Sequence, residues 1–211
     1  MVLNKVFLTI SLLALTQVSH AQFGLPSIPG LTGGSSASSG NAADVLKNAN
    51  TMLLQFIRSE IKLAEALSGY RLSQEKLDFV ERLSKGDVAK ISKDELSNVF
   101  TIDAELKVTI NKTIESGSKI DERQKKLAAE GFFEYLKALL SSKVVIDSVQ
   151  GLAKNPTALG LDSAGPVTTL ASNLPKMISQ STSSTTTIIK YLSANGIDTS
   201  KMQKEADSLG K

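Results

Sequence analysis

Among the serines that stand three residues ahead of a lysine are Ser59 with Lys62, Ser73 with Lys76, and Ser116 with Lys119. This is the spacing with which penicillin-recognising enzymes set a lysine beside a serine nucleophile. The 190 residues after position 21 hold 25 serines and 19 lysines, so about 2.5 such matches arise by chance. The companion SDN and KTG motifs are absent. Ser73 therefore reads as a helix cap and the lysines as solvated faces, with a Ser/Lys hydrolase left as the one catalytic exception the composition permits. Residues 160–165, from Gly160 through Ser163 to Gly165, resemble a nucleophile elbow but have one residue too many before the serine, and no histidine follows.

Paired carboxylates are the other arrangement that could do acid–base work. Asp103 with Glu105, and Asp121 with Glu122, are neighbouring acids. Residues one or two apart on a helix point in different directions, so neither pair converges on a substrate. The only histidine, His20, lies in a segment expected to be removed, and the chain has no cysteine. Nucleophile–base pairs that use histidine or cysteine are thereby excluded, as are the usual zinc, copper and haem ligands. The remaining side chains do not ordinarily exchange protons near neutrality. The acids do not cluster at calcium-loop spacing. No residue is assigned a catalytic, cofactor-binding or metal-binding role.

Nucleic acid is a poor partner for this charge pattern. Beyond residue 21 there are 23 basic against 21 acidic side chains, interleaved apart from the local cluster Arg123, Lys125 and Lys126. The glycines at 24, 30, 33, 34 and 40 lack the strand context of a phosphate-cradling loop.

Residues 1–21 carry Lys5, an apolar run from Val6 to Val18 and the small-residue end Ser19-His20-Ala21. This order predicts a secretory signal cleaved after Ala21, the run being too short to span a bilayer comfortably. Gln22 would then begin the mature chain, offering no cysteine for lipid attachment. Residues 22–40 are uncharged and rich in Gly, Ser and Pro, which predicts a flexible leader. Phe23, Leu25, Ile28 and Leu31 give it an apolar character that a partner or the folded body could use.

From Asn41 onward the periodicity is helical. Leu46, Ala49, Leu53, Phe56, Leu63 and Leu67 form one stripe, with Asn41 as N-cap and Gly69 as stop. A second helix is expected from Ser73 to Lys85. A third opens on the capping box Ser92 to Glu95 and runs to Gly117. The fourth extends from about Lys119 to Lys154, with Gly131 expected to loosen it and Asn155-Pro156 to end it. After a loop over 157–165, a fifth helix begins at Pro166, kinks or divides at Pro175 and stops at Asn195-Gly196. Within it, the hydroxyl run 179–187 is the least helix-friendly stretch, though helix is favoured there. The expected fold is all-α, an elongated antiparallel bundle of about five helices over 41–195 after a disordered leader, followed by a short helix or frayed tail over 196–211.

These features point to an exported, non-catalytic interaction or structural protein of the bacterial envelope, periplasmic or extracellular. Its expected partner is another envelope or secreted protein, with peripheral membrane contact possible and no cofactor. The alternative is a membrane-active or lipid-binding protein using the apolar segment 131–153, but Glu134, Lys137, Lys143 and Asp147 interrupt that segment. Each charge costs roughly 2.5 to 3.5 kcal/mol at a bilayer centre. Burial inside the bundle is the preferred account of 131–153. A ligand cavity lined by Phe79, Phe100, Phe132, Phe133 and Tyr135 is a variant of either reading.

Overall fold

The computed structural model describes residues 41–155, 157 and 159–209. The expected signal (1–21), the leader (22–40) and Pro156 lie outside them. Six α-helices follow in order: α1 (Ala42–Ser68), α2 (Gln74–Lys85), α3 (Lys93–Ser116), α4 (Glu122–Ala153), α5 (Leu161–Ala194) and α6 (Ser200–Ala206), with one 3₁₀ turn at Val88–Lys90. No strand occurs among the described residues. Among the described residues the fold is an all-α bundle, as the periodicity predicts: α1 to α5 are the five helices expected over 41–195, and α6 is the short helix expected within 196–211.

The helix ends follow local chemistry. The Asn41 side chain accepts from the Ala43 N–H, and Gly69 adopts the left-handed conformation that a C-terminal stop favours. At the start of α3, Ser92 Oγ accepts from the Glu95 N–H at 3.2 Å while Glu95 Oε2 accepts from the Ser92 N–H at 3.0 Å. Asp121 and Gln124 repeat this reciprocal arrangement at α4. We expect Ser92→Ala to lower stability by about 1 kcal/mol, read as a shifted urea midpoint with unchanged slope. Ser73 does stand at the N-cap of α2, but its side chain makes no capping hydrogen bond.

Two elements depart from the sequence reading. α5 starts at Leu161 rather than Pro166 and continues through Pro175 as one helix. Leu170, Leu174, Met177 and Ile178 are buried around Pro175, and such burial offsets the lost backbone bond that usually ends a helix at proline. Gly131 does not loosen α4. It is a point of close approach to α1: a Cβ built there would lie 3.1 Å from Lys62 Cβ and 3.3 Å from the Leu63 nitrogen. The hydroxyl run is helical, because Ser181, Ser183, Ser184 and Thr185 donate to the carbonyls four residues back instead of competing with the helix.

α1 touches the most neighbouring elements, and α4 is its main partner. α4 packs most extensively on α1, then on α5 and α6. Lys62 meets Glu134 while Phe56 meets Tyr135, so α1 and α4 run antiparallel. Tyr135 reaches Ser181, and Lys125 lies beside Gly196, so α4 and α5 are antiparallel too. α3 and α5 are not consecutive and lie alongside each other in the same direction: Lys93 is near Gly165, Lys107 bonds Met177 and Tyr191 bonds Ser118. The return stroke of α4 between them makes this parallel pairing possible. The tail is anchored rather than frayed, since Met202 of α6 is buried.

Candidate functional site

Three ionisable side chains gather inside the bundle. Glu60 of α1 is fully buried, and neither of its carboxylate oxygens has a hydrogen-bond donor. Asp103 of α3, only 5% exposed, lies beside it. Lys107 stands one turn on from Asp103, with Nζ 2.8 Å from Oδ1 and 2.9 Å from Oδ2. Direction as well as distance decides a hydrogen bond, and only Oδ2 receives one, leaving Oδ1 without a donor. Lys107 also donates to the Met177 carbonyl at 3.2 Å and lies 5.5 Å from the centre of the Phe56 ring.

A charged carboxylate without donors in a dry interior costs several kcal/mol, so such a group takes up a proton instead. Burial is the main influence that lifts the Glu60 pKa well above the ordinary 4.5. The Asp103 charge adds to it, Lys107 opposes it, and a hydrogen bond to Asp103 further favours the protonated acid. A proton on Glu60 gives the three donor-less oxygens a bond to share. Burial thus displaces Glu60 upward from the ordinary carboxylate range, a shift that spacing along the chain does not reveal.

Apolar and aromatic groups close the site. Tyr135 stacks on Phe132, at 5.7 Å between ring centres, and meets Phe56 at a tilt, at 4.7 Å. Its hydroxyl donates to the Ser181 carbonyl at 3.0 Å, and burial, followed by the nearby Glu60 charge, raises its pKa well above 10.0. One flank opens to solvent. Between α3 and α5 lies a groove of about 500 Å³ lined by Lys107, Val108, Asn111, Ser179, Gln180 and Ser183 among others, so that Lys107 joins the buried pair to the surface. A smaller groove of about 220 Å³ lies where α2 approaches the start of α3. Its charges are already matched, Arg82 to Glu95 and Lys90 to Asp87.

The motifs singled out in the sequence are dispersed. Ser59 is buried and donates to the Phe56 carbonyl, while Lys62 pairs with Glu134. Lys76 pairs with Glu105. Ser116 donates to the Thr113 carbonyl and Lys119 reaches the Ala194 carbonyl. Lys62, Lys76 and Lys119 are thus each engaged away from the serine three residues before. Asp103 and Glu105 do point apart: Glu105 is held by Lys76 and Tyr70, which keep its carboxyl below the usual range. The carboxylate that Asp103 does meet, Glu60, escaped the sequence reading. The five aromatic residues line no common cavity. Phe132 and Tyr135 fill the core, whereas Phe79, Phe100 and Phe133 are half-buried, with Arg82 5.4 Å from the Phe79 ring and Lys137 4.7 Å from the Phe133 ring. Among the described residues no group of three or more acids is placed to hold a metal ion.

The molecule is therefore a helical bundle with an internal acid pair and a polar surface groove. No protein-family description, curated protein or solved structure matches the chain.

Proposed function

We propose that this chain is an exported, non-catalytic bundle of the bacterial envelope that works by contact with another envelope or secreted protein. The observation that carries this reading is the disposition of its polar groups. Serines that might have served as nucleophiles are bonded to carbonyls of their own helices, and Glu60 and Asp103 are buried, with Lys107 standing between them and the groove. What solvent meets is a polar groove flanked by Val108, an apolar side chain left 52% exposed. Donors, acceptors and an exposed apolar edge together suit the partly polar surface of a folded partner.

The membrane reading draws less support. Phe132, Leu136, Leu139, Val145 and Val149 of segment 131–153 are buried in the bundle, whereas Glu134, Lys143 and Asp147 face outward. None of the described helices is long and apolar enough to cross a membrane. Chemical crosslinking of the native chain in cell envelopes, followed by purification and mass spectrometry, tests the proposal: one partner recovered repeatedly at a defined ratio is expected. Dye release from liposomes by the purified chain, with no such partner, would contradict it.

A further inference from the structure

Two carboxyl groups on different helices face one ammonium group in the interior, and the count of charges does not balance unless a proton is present. With both acids ionised, Glu60 and Asp103 carry two negative charges against the single positive charge of Lys107. With one proton between them the cluster is neutral, and Glu60 gains the donor that its surroundings fail to supply.

We propose that Glu60, Asp103 and Lys107 form a proton-operated latch between α1 and α3, in which one proton shared by the two carboxyls holds the helices together and its loss loosens the seam. Each packed element contributes to the balance. α3 supplies Asp103 and Lys107, α4 supplies the Tyr135 phenol, and α5 supplies only neutral groups, the carbonyls of Met177 and Ser181. No second cation is recorded facing Glu60 to compensate a lost proton. The unbalanced charge then calls for water, and the route lies past Lys107 through the α3–α5 groove.

The direction of the pH effect follows from linkage. An unfolded glutamate loses its proton near pH 4.3, whereas the folded site retains it to higher pH, so the native state binds more protons over the interval between. Stability from this site is full below about pH 4.3 and declines as pH rises through the folded value, at up to tenfold in the unfolding equilibrium per pH unit. Glu95 and Glu105 act in the opposite direction. Their capping-box and Lys76 hydrogen bonds hold them below the usual range, so their contribution is lost as pH falls.

Urea unfolding of the whole chain between about pH 5 and 8, for wild type and Glu60→Gln, tests the latch. Glutamine imitates the protonated acid, donating to Asp103 with no charge to release. We expect wild type to lose stability relative to E60Q progressively as pH rises. Parallel pH profiles would overturn the proposal. Should E60Q fail to fold, Asp103→Asn serves, because it removes the repelling charge and should flatten the same limb; an unchanged slope counts against the latch. Infrared spectra of wild type supply a readout independent of both variants. A protonated-carboxyl stretch at mildly acidic pH should vanish on raising the pH as amide exchange in α1 and α3 quickens, and its absence at the acidic end would contradict the proposal.

Discussion

Phe132→Ala is expected to destabilise the bundle by about 3 to 5 kcal/mol, a large part of the roughly 5 to 15 kcal/mol that holds a domain together. Phe132 is fully buried, next to Gly131 and stacked on Tyr135, which itself meets Phe56 of α1. Truncation removes the ring's transfer energy and opens a cavity that α1 cannot fill, since the Gly131 contact already brings the two backbones close. Loss of the stacking partner also frees Tyr135, whose hydroxyl bond to Ser181 ties α4 to α5. Equilibrium urea unfolding followed by circular dichroism measures the change. A loss below about 1 kcal/mol, the range of a surface substitution, would mean that the α1–α4 seam is not the principal contact.

Lys107→Met should cost a similar amount, about 3 to 5 kcal/mol, for an electrostatic reason. The methionine fills nearly the same space but withdraws the positive charge that faces Asp103 and Glu60. Exposed pairs behave differently. Lys85 bridges Glu81 at 2.6 Å with both side chains largely in solvent, and Lys85→Met should change stability by less than about 1 kcal/mol. Replacing both buried partners is often nearly neutral, so the double variant K107M/D103N should regain much of the loss. A K107M chain as stable as wild type, or a double variant no better than the single one, would show that the three side chains do not act as a unit.

The helices were legible because their signals are local. Asn41, Ser92 and Gly117 mark ends through backbone chemistry within a few residues, and the leucine spacing of α1 marks its buried face without reference to anything distant. The course of α5 was not, because continuation through Pro166 and Pro175 depends on what packs against it. The acid pair was half legible. Glu60 falls four residues after Phe56 and three before Leu63, and Asp103 falls four after Val99 and three before Leu106, so both sit in register with the apolar stripes. An acid on such a stripe signals a buried charge needing a partner. That the two would meet each other, with Lys107 as counter-ion, depends on how α1 and α3 are set side by side, which no spacing within one helix encodes. Attention to neighbouring acids, such as Asp103 with Glu105, looked for convergence along one helix when it lay across two.

On the proposed function, the bundle meets its partner through a defined surface beside the α3–α5 groove. Val108 borders that groove and is 52% exposed, while Val144 of α4 is 54% exposed and lies outside its lining. A photocrosslinking amino acid placed at one or the other position, and irradiated in intact cells, compares two equally accessible sites on one folded chain. The account predicts a discrete adduct with a single exported protein from position 108 and none from position 144. Identical adduct patterns from both positions, or adducts from 144 alone, would contradict it.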